Sequence, residues 1–289
     1  MDPVSGIGNG SGEGGGERTS AAPGAGGPGG AVDDPSRASP RGAWLAAPVL
    51  AAFDRRRLAM LRAGVPPPAR LVDAGAGRGR FVAAARRAGY DAEGFEPDPG
   101  RAAAAAAVYG VALRTAGIEE VEYGAGSVDA VCAWHVLEHV ADPDAAVGLM
   151  VGWLRPGGAL LVGVPNLDSL QSRLGGERWY HLDLPRHRTH FTPAGVHALL
   201  RRHGLEPVRT HHVLAEHNPF GMWQTLANRL TRRRSYLFHL LKREAPLDAR
   251  DLAASLLALP LLPIAALLEL AAGLAHRGGT IAVLAVKRP

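Results

Sequence analysis

A single cysteine, Cys132, stands among 289 residues, so no internal disulfide framework can hold this chain together. Lysine is nearly absent as well: behind a formal net charge of +5, the positive groups are arginines except at Lys242 and Lys287. Aromatic residues are scarce at 6%, and no nucleic-acid motif accompanies the basic runs DRRRL (Asp54 to Leu58) and TRRRS (Thr231 to Ser235). Without stacking partners such runs read as solvated helix faces rather than a nucleic-acid groove. Neither a basic start nor an apolar run opens the chain. No secretory signal is recognisable, and a reducing cytoplasm is the expected compartment. No internal repeat shows.

What is present is a normal globular complement, with 47% hydrophobic residues, enough for one domain with additions. Residues 1–40 are Gly, Ser and Pro with little to bury, and are expected to form a disordered tail. Residues 41–66 carry a helical cap that is apolar on one side and basic on the other, closed by Gly64 and three prolines. Over 67–214 the pattern alternates between β and α. ARLVDAG, DAEGFEP, VALRTAG, SVDAVCAWHVL, GALLVGVPN and LEPVRTHHVL read as strands, and RFVAAARRAG, GRAAAAAAVYG, PDAAVGLMVGWLRPGG and TPAGVHALLRRHG as helices. Residues 215–277 are a helical, mostly apolar insertion, and 278–289 supply one more strand, GGTIAVLAVKR. Alternation of this kind predicts a doubly wound α/β fold, a mostly parallel sheet covered on both faces.

In LVDAGAGRGRF the strand delivers Asp73, then Gly75, Gly77 and Gly79 at alternate positions, then a helix. Glycines let the backbone turn tightly and approach a ligand, while the helix start offers unpaired N–H groups. A dinucleotide fingerprint would place its third glycine at position 80, where Arg80 stands, so that pyrophosphate cradle is not reproduced. An acid just ahead of the glycines suits an ammonium group better than a phosphate. Glu96 ends the second strand about twenty residues on, the separation at which an acid accepts ribose hydroxyls in doubly wound folds. The pair specifies a nucleoside carrying a positively charged amino-acid portion.

VDAGAGRG, Glu96, GIEEV, SVDAVCAWHVLEHVADP, LRPGGALLVGVPN and LPRHRTHFTPAGVHALL occur in that order. The series resembles class I S-adenosylmethionine-dependent methyltransferases of the UbiE/UbiG-like group (methyltransferase types 11 and 23), over residues 42–214 plus the final strand. The resemblance implies a seven-stranded Rossmann-like sheet with an antiparallel last strand and a donor site at the strands' C-terminal ends. It implies that Asp73, Gly75, Ala76 and Gly77 hold the methionine portion of S-adenosylmethionine and that Glu96 grips the ribose. Pro97, Ile118 and Glu119 would flank the adenine, with Trp134 and His135 beneath the sulfonium.

His135, Glu138 and His139 also stand in the inverted zinc-protease spacing H-x-x-E-H. That chemistry needs both histidines inside one helix. Here SVDAVCAW ends a strand, and Asp142–Pro143 begin a new helix. HVLEHV is therefore expected to be a connection, and a zinc metallohydrolase is the lesser alternative. Some quinone-biosynthetic O-methyltransferases similar to this chain carry E-x-x-E-H here, a set that can hold a divalent cation. With His135 in the first position the set is a poor magnesium site. No metal is expected; if one were held, its ligands would be His135, Glu138 and His139.

Methyl transfer needs alignment and, for a hydroxyl acceptor, a base, for which histidine is suited near neutrality. WYHLDLPRHRTHF gathers His181, His187 and His190, and the candidate catalytic residues are His187 and His190, then His139. The apolar stretch 251–275 approaches the length of a membrane span, but Pro260 and Pro263 interrupt it and Glu269 is costly at a bilayer centre. With basic residues ahead of it, 232–275 reads either as a hairpin in a membrane interface or as a soluble cap or homodimer surface. The expected function is transfer of a methyl group to a small-molecule or lipid-linked acceptor, foremost at a hydroxyl, without nucleic acid. A non-catalytic cofactor-binding scaffold is the main alternative.

Overall fold

A computed structural model describes residues 43–241 and 245–288; the segment 1–40 expected to be disordered lies outside them. The chain enters in α1 (Ala43–Arg62) and alternates through β1 (Arg70–Ala74), α2 (Arg80–Arg87), β2 (Asp91–Phe95), α3 (Pro99–Tyr109), β3 (Val128–Trp134), α4 (Pro143–Trp153) and β4 (Leu154–Pro165). Then come α5 (Leu170–Gly175), α6 (Pro193–Arg202) and β5 (Leu205–His211). A helical segment follows, α7 (Asn218–Ala227), α8 (Tyr236–Leu241), α9 (Ala249–Leu257) and α10 (Leu262–Leu274), before β6 (Thr280–Lys287). The helix starts follow their caps. Asp98 and Asp142 each accept two backbone N–H groups ahead of a proline-led helix, and Thr192 accepts that of Gly195.

The strands lie in the order β2-β1-β3-β4-β6-β5. The first four are parallel, and β6 runs antiparallel to both β4 and β5. This is the expected doubly wound sheet with an antiparallel closing strand, but it has six strands among the described residues rather than seven. VALRTAG lies along β2 at an isolated bridge between Phe95 and Arg114 and does not extend into a strand. Glu96 N–H still donates to the Arg114 carbonyl at 3.0 Å. Arg114 and Thr115 are exposed at the sheet edge, so nothing on their outer side pins the segment into a longer ladder.

Alternate strand residues face opposite layers, as the pleat requires. Val72, Val131, Leu160 and Val162 join α4 and α6 in one core; Leu71, Ala130, Cys132 and Leu161 join α1 and α2 in the other. A third, smaller core of Met222, Trp223, Ala227, Ala258 and Ala265 holds the segment between β5 and β6 together. The C-terminal ends of β1, β2 and β3 open side by side, and the chemistry-bearing residues collect there.

Candidate functional site

A short loop carries the chain from β1 into α2. Gly75, Gly77 and Gly79 within it take φ values of +66°, +57° and +75°, a region that costs other residues about 1–2 kcal/mol. A Cβ on Gly75 would stand 2.7 Å from Val136 Cγ2, and one on Gly79 2.9 Å from Ala105 Cβ, whereas nothing lies within 4 Å of the corresponding position on Gly77. Packing thus fixes two of the glycines, and the third leaves its side of the loop free for a ligand.

Glu96 follows β2 and is 3% exposed. Its Oε2 accepts the Gly77 N–H at 2.9 Å and its Oε1 the Asp98 N–H at 3.1 Å. Lone pairs remain on both oxygens for further donors, such as two ribose hydroxyls. Asp73 lies buried beneath the loop. Burial pushes its carboxyl up to about 7, against the pull of the Arg57 guanidinium. A cation placed against it would favour its ionised form. The donor set therefore fits a cationic nucleoside.

Arg57 is the residue that sequence reasoning missed. DRRRL reads as a solvated helix face, yet Asp54 and Arg57 are buried. The Arg57 guanidinium lies 4.2 Å from the centre of the Trp134 ring and 4.8 Å from that of Phe81. It also meets Glu216 at 3.1 Å. Arg80, the first residue of α2, pairs with Asp54 at 2.9 Å and with Glu216 at 3.1 Å. Two arginines and two carboxylates thereby clamp α1 and the segment after β5 onto the glycine loop. Burial raises the Glu216 carboxyl, but the Arg57 and Arg80 guanidinium groups overcome it and hold the group down at about 2. The sequence-level hint was an acid and a base three residues apart on one helix face; the partner Glu216 is far away in the chain.

Beyond Trp134 the chain turns through HVLEHV, a connection as expected and not a helix. His135 sits at φ +55°, rare for a residue with a side chain. Its Nδ1 lies 2.8 Å from Glu138 Oε1. Burial raises the Glu138 carboxyl, but the hydrogen bond from His135 and the neighbouring imidazoles bring it below its usual value. With that carboxylate ionised, the shared hydrogen belongs to Nδ1, and in the neutral imidazole the lone pair is the one on Nε2. His135 Nε2 is buried and has no hydrogen-bond partner among the described residues. Its ring stacks on His181 at 6.1 Å and meets His217 edge-on at 4.6 Å. Burial keeps His181 well below its usual pKa and lowers His217 to about 3, so both are neutral walls.

The three histidines expected to be catalytic are each bonded to a backbone carbonyl, and His139 Nε2, like that of His135, is buried without a hydrogen-bond partner among the described residues. His139 Nδ1 donates to the Arg186 carbonyl at 3.2 Å, His187 Nδ1 to that of His181 at 2.7 Å, and His190 Nε2 to that of Leu182 at 3.0 Å. These bonds shape the loop after α5, which is also tied down where Arg188 N–H donates to the Glu138 carbonyl at 2.7 Å. Glu138, His139 and His187 bring one ligand atom each within 4.8 Å of one another and are the group able to hold a metal ion. The structure thus brings His187, rather than His135, into the trio that the motif suggested. Of the residues assigned to the adenine, Pro97 and Glu119 are exposed at the rim, and Ile118 is turned into the core. Ala76 packs under the loop with α2.

Comparison with known proteins agrees with this fold. Residues 49–210 match a family model described as a methyltransferase domain. Over 90 residues the chain is 40% identical to an uncharacterized methyltransferase of Mycobacterium sp. strain KMS, covering 30% of this chain and 35% of that relative. The chain thus spans about a third of the length of the curated relatives it matches. The cyclase SpnF aligns at a TM-score of 0.54 and 20% identity over 81% of this chain and 80% of that one. A geranyl diphosphate methyltransferase in complex with SAM aligns at 0.50 and 18% over 82% and 85%. At such identities the likeness is one of fold.

Proposed function

The chain belongs to the methyltransferase-domain family, whose cofactor is S-adenosylmethionine, and from that premise we propose that it methylates a hydroxyl of a small or lipid-linked metabolite, with His135 as the base. The observation that carries this reading is the His135–Glu138 pair, an imidazole oriented by a buried carboxylate with its other nitrogen unoccupied. Asp73, Gly75, Ala76 and Gly77 would hold the methionine portion of the cofactor, and Glu96 its ribose. Trp134, with Arg57 over its ring, would floor the site between them. Pro97 and Glu119 would border the adenine at the rim, above Ile118.

When bound, S-adenosylmethionine supplies a methyl carbon already activated by a sulfonium, so alignment and proton removal are what remain for the protein. His135 Nε2 takes the acceptor hydroxyl's proton as the oxygen becomes nucleophilic, and Glu138 stabilises the imidazolium through Nδ1–H. The neutral rings of His181 and His217 keep water and competing cations from the base. His139, His187 and His190 hold the covering loop through their carbonyl bonds.

Calorimetric titration with S-adenosylhomocysteine tests the donor site. Wild-type protein is expected to bind, and Glu96→Ala to weaken binding by roughly ten- to a hundredfold, the worth of hydrogen bonds to a charged group. Glu96→Gln, which keeps an acceptor for Gly77, separates ribose contact from loop collapse and should fall between the two. A wild-type protein that does not bind the nucleoside would remove the premise of the reading. Binding without turnover on any hydroxyl acceptor would favour the non-catalytic scaffold.

A further inference from the structure

α9 and α10 are built inside out. In a soluble helix the apolar stripe faces the core and polar residues face water. Here the inward residues of α9 include Asp251 and Ser255, and those of α10 are Ala265, Glu269, Ala272 and Gly273. Glu269, 3% exposed, accepts the Gly279 N–H at 2.5 Å and an N–H of Gln171 at 2.9 Å. A Cβ on Gly273 would stand 2.8 Å from Val213, so the helix lies tight against the chain that leaves β5. The leucines point the other way. Leu257, Leu267 and Leu274 are 75%, 67% and 70% exposed, and Leu256, Leu262 and Ile264 are exposed beside them.

Arginines edge this apolar face. Arg232, Arg233 and Arg234 are exposed, and the backbone N–H groups of Arg232 and Arg233 donate to the Asp251 carboxylate at 2.8 and 3.0 Å, which seats the run on the first turn of α9. Arg250 is exposed on the same turn. The acidic residues within α9 and α10, Asp251 and Glu269, are both buried. The outer face is therefore apolar with a cationic border and presents no acid of its own, so a second copy would bring arginine no partner there.

We propose that the α9–α10 segment seats this protein on the surface of an anionic lipid bilayer, its leucines in the acyl boundary and its arginines among the headgroups. Residues 249–274 together have the length and composition of a membrane span. A 3-10 turn at Leu259–Leu261 divides the segment into α-helices of 9 and 13 residues. A span needs about 20 residues in line. With Glu269 held inward on Gly279, the outer face of the segment lies in the interface plane, as in an amphipathic surface anchor. α10 packs on α7, whose Gly221 borders His181, so the anchored face and the histidine pocket share one helix.

Co-sedimentation of the full chain with vesicles tests this. Wild-type protein is expected to bind vesicles of phosphatidylcholine with phosphatidylserine, more weakly those of phosphatidylcholine alone, and less in high salt. Leu257→Ser with Leu267→Ser is expected to weaken partition at least about a hundredfold. Exchange of Arg232, Arg233 and Arg234 for Gln is expected to do so roughly a hundredfold, at about fivefold for each charge. Both variants should bind S-adenosylhomocysteine as the wild type does, which shows that they fold. Wild-type protein left in the supernatant with both vesicle types overturns the proposal. So does a soluble dimer that Leu257→Ser dissociates, since a second copy would then cover the face. Vesicle binding and nucleoside binding are separate readouts, so either property can fail alone.

Discussion

Replacing His135 with Asn is expected to lower kcat for a hydroxyl acceptor by roughly a hundred- to ten-thousandfold, the range contributed by a positioned base. The fall should appear equally in kcat/KM, because the proton moves only as the transition state forms. Affinity for S-adenosylhomocysteine should change by less than about threefold, since the ring serves the acceptor rather than the nucleoside. The measurement is transfer of labelled methyl to phenols and prenyl alcohols, with the wild-type protein first used to find an acceptor that turns over. If nucleoside binding collapses along with kcat, His135 belongs to the donor site, as the family resemblance implied, and the base must be sought elsewhere. Glu138→Gln gives the second half of the argument. An amide can present N–H to Nδ1 and so favour the tautomer with its hydrogen on Nε2, which leaves no acceptor for the substrate proton. Its kcat should therefore approach that of the His135→Asn variant, and the double variant should lose little more. His187→Asn and His190→Asn change carbonyl anchors rather than the base, and their effects should lie mainly in KM and in thermal stability.

The frame of this protein was legible because its signals are local. Asp98, Asp142 and Thr192 cap their helices from within three residues, and Pro99, Pro143 and Pro193 open them. The glycine spacing placed the loop after β1, and each of its three glycines takes the left-handed conformation that only glycine adopts freely. HVLEHV was recognisable as a connection because a strand ends before it and a capped helix begins after it. VALRTAG misled because its alternation resembles a strand, while strand formation also depends on a neighbour at the sheet edge.

The site was legible only in part, because its decisive pairings are long-range. Arg57 finds Glu216 across 159 positions of chain, and nothing within DRRRL distinguishes the arginine that goes inward from those that do not. The spacing of His135 and Glu138 was visible, but its meaning depended on the positive φ of His135, which no residue pattern announces. His187 could not be joined to Glu138 and His139 until the loop after α5 was seen to dock on the Glu138 carbonyl. Glu269, expected to be a liability in an apolar segment, instead fastens that segment to the start of β6.

That fastening carries a pH signature. Burial pushes the Glu269 carboxyl up to about 7 from its ordinary 4.5, against the hydrogen bonds from Gly279 and Gln171 that favour the charge. A raised folded-state value means that the folded protein holds this proton more tightly than the unfolded chain does. The contribution to stability is then full below pH 4.5 and is lost as pH rises through about 7. At about 1.4 kcal/mol for each unit of difference, the loss approaches about 3 kcal/mol. Glu269→Gln keeps an oxygen for Gly279 and cannot ionise. The variant should resemble the wild type most closely at about pH 5, and at about pH 8 it should be the more stable protein, by several degrees in Tm. Asp73, also raised to about 7 by burial, adds a slope of the same sign to both proteins, so the readout is the difference between their curves rather than either curve alone. A difference that stays constant from about pH 5 to about pH 8 would mean that Glu269 titrates at its ordinary value, and hence that water reaches it between α10 and β6. The helix would then not be sealed against the core, and the outward tilt of its leucines would lose its anchor. Melting curves across that pH range therefore probe the inner face of the same helical segment whose outer face the vesicles probe.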